Sequence, residues 1–295
     1  MYNQITHNKR KTVVLIVIFA LVVILLGWAF GQYLGEPSLG IVLATMLATI
    51  MTLVGYFKGD KVALASSGAK EIDKKIAPEI FNLVENLSIT AGIPRPKIYL
   101  IDDPAPNAFA TGRKPETASI AMTTGLLKIM NKTELEGVIA HELSHIKNYD
   151  VRVMTIVVVL VGVILLLSDW MMRTFLFGKG DKREGGQLAL IMLVVGVGLA
   201  VLSPIIAEML KLAISRSREY LADASGSLLT RYPDGLANAL SKIAEHDQPL
   251  KKANHATAHL FIANPFDPKV TKKFERFFSS HPPIEDRIAK LRKMT

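Results

Sequence analysis

The sequence predicts a mainly α-helical protein with a small β-sheet, held in a membrane by long apolar helices. Three observations carry that expectation. Half of the 295 residues are hydrophobic and only 21% are charged, and the mean hydropathy is +0.30, too apolar for an ordinary soluble domain. The apolar residues are gathered into four runs. The polar remainder keeps helical spacing except between Pro96 and Thr124, where short β-prone segments alternate with turn residues. Cysteine is absent, which excludes disulfides, thiol nucleophiles, iron–sulfur clusters and cysteine-based zinc sites. Any metal must therefore be held by His and carboxylates.

The first run, Thr12 to Phe30, has no charge and follows Lys9, Arg10 and Lys11. A helix rises about 1.5 Å per residue, so roughly 20 residues cross a hydrocarbon core of about 30 Å. A signal peptide is the competing reading, but the stretch is long for one, and a second uncharged run, Leu39 to Phe57, follows a short Gly-containing turn. Residues 1–57 thus read as a transmembrane hairpin. Lys58 and Lys61 follow it and the turn from Gly31 to Ser38 has no Lys or Arg, so the positive-inside rule places both ends in the cytoplasm of a multi-pass protein of the cell inner (plasma) membrane.

Runs three and four, Val153 to Leu167 and Leu188 to Ala207, form a second hydrophobic hairpin within 151–207. Spanning is expected from their apolarity, although Arg173, Lys179, Lys182 and Arg183 in the connecting loop fit the charge rule poorly. A buried core helix or an embedded hairpin is the alternative. The net charge of +9, from 35 Lys and Arg against 26 Asp and Glu, suits an anionic inner leaflet, where each cation near the surface contributes about 1 kcal/mol. Those cations are dispersed and no aromatic-interleaved stripe accompanies them, so no nucleic-acid partner is expected.

The polar stretches 58–150 and 208–295 are expected to form one domain interrupted by the second hairpin. Ile72, Ile76, Ile80, Leu83, Val84 and Leu87 are spaced as one helical face. Lys97 to Ile101, Ala108 to Thr111 and Ala118 to Thr124 read as strands.

The chemistry concentrates at His141-Glu142-Leu143-Ser144-His145. On a helix, residues four apart share a face, so both imidazoles can close on one metal while Glu142 points to its open side. Thr133 and Glu136 resemble a capping box, and Leu135, Val138, Ile139, Leu143 and Ile146 supply an apolar face. Two surface histidines are the competing reading, and a third ligand decides between them, because catalytic zinc takes three protein ligands and a water. Glu219 lies just past run four with Asp223 one helical turn on. A carboxylate on the metal, followed by one that accepts the free N–H of a ligating His, would come from a single helix. A solvated charged face, with Arg216 and Arg218, is the alternative. His255 and His259 are also four apart, but no acid follows His255, so a structural or substrate-cleft role is expected of them.

Taken in order, Asn107-Ala108-Phe109-Ala110-Thr111-Gly112, His141-Glu142-x-x-His145, Glu219-x-x-x-Asp223 and Ser280-His281-Pro282-Pro283 with Arg287 resemble the HtpX membrane zinc proteases over nearly the whole chain. The wider family includes proteases that process CAAX-type prenylated proteins. The resemblance implies a gluzincin-like zinc protease domain with one Zn2+ per subunit, His141, His145 and Glu219 as ligands and Glu142 as general base. It also agrees with the role read for Asp223. His281 and Arg218 become oxyanion candidates by motif position, each otherwise a surface residue. Asn107 to Thr111, with Phe109 at its centre, could hold a peptide in extended form if it were an exposed edge strand. The implied activity is quality control of membrane proteins, on the cytoplasmic side, with other membrane proteases as possible partners. A CAAX-type processing protease and a catalytically silent membrane scaffold are the alternatives, and the intact Glu142 argues against the scaffold.

Overall fold

The computed structural model of the chain describes residues 2–34, 36–177, 198, 216–246, 248–253, 256–266 and 281–294. Helix α1 (Tyr2–Leu34) and helix α2 (Pro37–Ser66) form the N-terminal hairpin, with Pro37 opening α2 where a missing N–H costs nothing. Ile5–Trp28 and Pro37–Ser66 are each long and apolar enough to cross a membrane. The two helices meet through small residues: a Cβ on Gly27 would run into Ala44, and one on Gly40 into the Gly27 carbonyl. Their outward faces carry Val13, Val17, Leu21 and Leu25 on α1 and Leu39, Leu43, Met46 and Leu53 on α2, all exposed. Small residues where the two helices touch and large apolar ones on their outward faces is the pattern of helices that pack in lipid.

Helix α6 (Asp150–Phe177) extends run three at both ends. Its Val153, Val157, Leu160 and Ile164 are buried in one cluster with Leu15, Phe19 and Val22 of α1 and Ala44 and Ala48 of α2. Run four, Leu188 to Ala207, lies outside the described residues except for Gly198.

The polar part holds a four-stranded mixed sheet in the order β1-β2-β4-β3, with β1 (Lys70–Glu71), β2 (Lys97–Ile101), β3 (Ala108–Thr111) and β4 (Ser119–Thr123). Strands β2 and β4 run parallel, while β1 and β3 are antiparallel to their neighbours. Around it stand helices α3 (Pro78–Ala91), α4 (Thr124–Ile129), α5 (Lys132–Lys147), α7 (Arg216–Thr230), α8 (Pro233–Glu245) and α9 (Ile284–Arg292). The core unites Val84, Ile98, Ile120, Leu126, Ile139, Leu143, Leu236, Leu240 and Leu291. Each such side chain contributes roughly 1.5–3 kcal/mol when fully buried.

Two local expectations are corrected. The helical face expected from Ile72 begins only at Pro78: Asp73 accepts from the Lys75 and Ile76 backbones and closes a turn, which leaves Ile76 68% exposed, while Ile72 donates its N–H to the Ile98 carbonyl as a continuation of the sheet. The capping box of α5 is Asn131 with Glu134, not Thr133 with Glu136. Asn131 has the extended backbone a cap requires, its Oδ1 accepts from the Glu134 N–H at 3.0 Å, and Glu134 Oε2 accepts from the Asn131 N–H at 2.8 Å. Thr133 already lies inside the helix and donates its hydroxyl to Asn131 Oδ1.

Candidate metal centre

Helix α5 is buried from Gly137 to Ile146, so its two histidines face protein rather than water. Their Nε2 atoms lie 3.1 Å apart. Glu219 on α7 brings Oε1 to 3.4 Å from His145 Nε2 and Oε2 to 3.8 Å from His141 Nε2. The close seating of α7 depends on Gly226, where a Cβ would come within 3.0 Å of the His141 backbone nitrogen. Two donors at about 2.0–2.1 Å from a tetrahedral ion lie roughly 3.3 Å from each other, so this trio fits zinc in number, type and spacing.

Both imidazoles point Nε2 inward and Nδ1 at a carboxylate. His141 Nδ1 is 3.0 Å from Asp223 Oδ1. Asp223 is gripped by Arg287, whose Nε donates to Oδ2 at 2.9 Å and Nη2 to Oδ1 at 2.7 Å. The same guanidinium donates Nη1 to the Ile262 carbonyl at 2.9 Å and lies 3.6 Å from Glu219 Oε2. His145 Nδ1 is 3.2 Å from Asp150 Oδ2. Asp150 Oδ1 accepts from Asn8 Nδ2 at 2.8 Å and stands 3.6 Å from Arg218 Nη1. A carboxylate behind each imidazole fixes the ring and its tautomer, the arrangement that suits a metal-ligating histidine.

Burial raises the Glu142 carboxyl to about 7; Glu219 adds to the rise, while His145 and the Ala110 backbone N–H oppose it. A carboxyl poised near neutrality suits proton transfer. Burial lowers His141 to about 4, against the pull of Asp223. Burial also lowers His145, but Asp150 and Glu219 outweigh it and the group rises to about 9. Glu219 falls well below its ordinary value because His281, His145 and Arg287 overcome its burial. Asp223 falls to about 2, burial being outweighed chiefly by Arg287 and His141.

The other expected site residues divide. His281 joins the centre, with Nδ1 3.0 Å from Glu219 Oε2. Arg218 is buried beside Asp150, on the outer side of His145. Asn107 is buried and structural: its Nδ2 donates to the Ala263 carbonyl at 3.0 Å and its Oδ1 accepts from the Ala108 N–H at 3.1 Å. Phe109 is fully buried against Phe261, ring centroids 4.9 Å apart. The expectation of an exposed edge strand is corrected. Strand β3 is the sheet edge, yet all four of its residues are buried, the Ala108 carbonyl accepts from the Ile262 N–H, and the Ala110 N–H bonds Glu142. His259 is buried with Nε2 3.0 Å from the Met154 carbonyl, a structural placement, and His255 lies outside the described residues.

Sequence reasoning missed Asp150 and gave Arg287 no role. Asp150 lies five residues past His145 and would face away if α5 continued. Instead α5 ends at Lys147, Asn148 caps it and Tyr149 turns into the left-handed region at φ 60°, which swings Asp150 back. The usable signal was an Asn-x-Asp step straight after the motif.

A His-Glu-x-x-His helix, a buried carboxylate from a neighbouring helix as third donor and a sheet edge alongside define a metallopeptidase. The sequence profile of Peptidase family M48 matches residues 74–295. The chain belongs to that family, in its HtpX branch: it is 47% identical to a protease HtpX homolog of Dictyoglomus turgidum over 99% of this chain and 94% of the relative. It is 43% identical to one of Caldanaerobacter subterraneus subsp. tengcongensis, over 100% and 98%, and 42% identical to one of Streptococcus pneumoniae over the whole of both. Among solved structures, Ste24p of S. mikatae has a similar fold, with a TM-score of 0.52 at 19% identity, covering 99% of this chain and 67% of that one.

Proposed function

We propose that this metallopeptidase is a zinc endopeptidase of the cytoplasmic membrane that cleaves cytoplasmic regions of misfolded or damaged membrane proteins. The observation that carries the reading is the convergence of His141 Nε2, His145 Nε2 and the Glu219 carboxylate, with Glu142 buried beside them. His141, His145 and Glu219 would hold the ion, and zinc bound there supplies a Lewis acid for a peptide carbonyl and for water. Glu142 takes a proton from the attacking water and returns it to the leaving amine, which a carboxyl raised to about 7 can do in both directions. His281 and Arg287 stand nearest the centre as donors for developing negative charge. Asp223 and Asp150 keep the imidazoles aligned.

Placement supports a membrane-protein substrate. Asp150, which touches His145, is also the first residue of α6, and α6 packs along the apolar hairpin. The centre therefore sits at the root of the helices read as membrane-bound. Zinc analysis of the detergent-purified full chain, with casein cleavage before and after chelation, tests the chemistry. About one zinc per chain and cleavage that chelation removes and zinc restores are expected; cleavage untouched by chelation would overturn it. A prenylated CAAX peptide cleaved in preference to casein would replace quality control by a processing role. Orientation is tested by single cysteines, for which this cysteine-free chain is ready: one in the turn from Gly31 to Ser38 should label from outside and one at Lys58 should not. External labelling at Lys58 would overturn the cytoplasmic site.

A further inference from the structure

We propose that Asn8, at the head of the N-terminal apolar helix, is a positioning residue for the metal ligand His145, acting through Asp150. The inference rests on the zinc reading above. Asn8 is fully buried in a turn whose other members, His7, Lys9 and Arg10, are exposed. Its amide uses both N–H groups: one donates to Asp150 Oδ1 at 2.8 Å, the other to the Asn148 carbonyl at 2.8 Å. The second oxygen of Asp150 is the one 3.2 Å from His145 Nδ1. Asn8 thus holds the carboxylate by one oxygen while the other aligns the imidazole. It also pins the corner where Tyr149 adopts its left-handed backbone.

The choice of an amide has a physical consequence. A Lys or Arg at this place would neutralise Asp150 and weaken its pull on the His145 N–H, whereas a neutral donor fixes the carboxylate and leaves its charge to the imidazole. Without Asn8, Asp150 is free to turn toward Arg218, 3.6 Å away, and His145 loses its alignment. The anchor helix is by this route part of the metal centre.

The test uses the full chain in detergent and reads zinc affinity by competition with a graded chelator, the visible spectrum of the Co2+-loaded protein, and kcat separately from KM. Asn8→Ala is expected to weaken zinc about 10-fold, at the low end of what partners of metal ligands contribute, to alter the Co2+ spectrum and to lower kcat with KM little changed. Asn8→Asp keeps the shape but sets a like charge against Asp150, and is expected to weaken zinc further. Thr12→Val, one turn along and buried as well, whose hydroxyl among the described residues bonds only back to the Asn8 carbonyl, is expected to match wild type. In the double variant Asn8→Ala with Asp150→Ala, zinc affinity should be no lower than in Asp150→Ala alone, because both act through one carboxylate. Losses that multiply in the double variant, or wild-type zinc affinity and Co2+ spectrum in Asn8→Ala and Asn8→Asp, would overturn the proposal. A wild-type chain that takes up no zinc would overturn the metal-centre reading itself, a result distinct from a zinc-loaded wild type matched by its Asn8 variants.

Discussion

The two imidazoles of the motif occupy equivalent places on one helix, yet they are held by different parts of the molecule. The His141 side is built within the polar lobe, from α7 and α9, and its carboxylate Asp223 is gripped by the two-pronged Arg287. The His145 side reaches across a break between helices to α6 and α1, and its carboxylate Asp150 is held at short range by the neutral Asn8 amide. His141 falls to about 4 because burial, helped by the facing His145 and less by Arg287, outweighs the pull of Asp223. His145, equally buried, rises to about 9 because Asp150 and Glu219 together outweigh burial. The charges that face each ring distinguish them: His145 and, to a smaller degree, Arg287 add to burial at His141, whereas Glu219 joins Asp150 in opposing burial at His145.

The largest effect leaves both sides intact. Glu142→Ala should lower peptide hydrolysis by roughly 10²–10⁴-fold while zinc content stays at the wild-type level, because the base adjoins the metal without holding it. Loss of zinc in that variant would make Glu142 part of the ligand set and redraw the comparison. Arg287→Leu should act chiefly on the His141 side: it takes both guanidinium bonds from the buried Asp223, while Glu219 keeps His281 and His145, and roughly 3–5 kcal/mol of lost stability is expected in denaturant unfolding. Asp223→Asn and Asp150→Asn sharpen the contrast, each expected to cost about 10- to 100-fold in zinc affinity by chelator competition. If only Asp223→Asn weakened zinc, the His145 side would be shown to tolerate disorder that the His141 side does not.

The smallest effect lies outside the centre. His259 is buried and lowered to about 4, mainly by desolvation, so the native state binds its proton less readily than the unfolded chain, where the ordinary value is about 6.5. Its contribution to stability is complete above about pH 6.5 and is lost as the pH falls toward 4. Between pH 7.5 and 5.5 this amounts to about 1.4 kcal/mol. His259→Gln, whose amide can still donate to the Met154 carbonyl, should flatten that part of the pH dependence of Tm; an unchanged slope would assign it to other groups.

Elements defined by local periodicity were legible from the chain. Strands β2 and β3 fall at Lys97–Ile101 and Ala108–Thr111 as their β-prone composition and flanking turn residues indicate, and the helical face of Val138, Ile139, Leu143 and Ile146 is buried as its spacing requires. Even there, the start of α5 was misplaced by two residues, because Asn131 and Thr133 are both good caps and only the backbone conformation chooses between them. The grouping of His141, His145 and Glu219 was legible because the two histidines are four apart and Glu219, with Asp223 one turn on, stands just past run four, where the motif order resembles the HtpX proteases.

The sequence by itself therefore determined most of the described helices, three of the four described strands and the candidate donors, since these follow from spacing within a few turns of chain or from which side chains exist at all. Only the tertiary structure decided what stands behind the donors and what covers the sheet edge. Asn8 meets Asp150 across 142 positions, Arg287 meets Asp223 across 64 and His281 meets Glu219 across 62. Periods of 2 and 3.6 residues carry no information over such separations. These pairings form because burying a polar group without a partner costs roughly 1–3 kcal/mol, and more for a charged one, so packing the helices forces each buried carboxylate to find a donor wherever the chain returns.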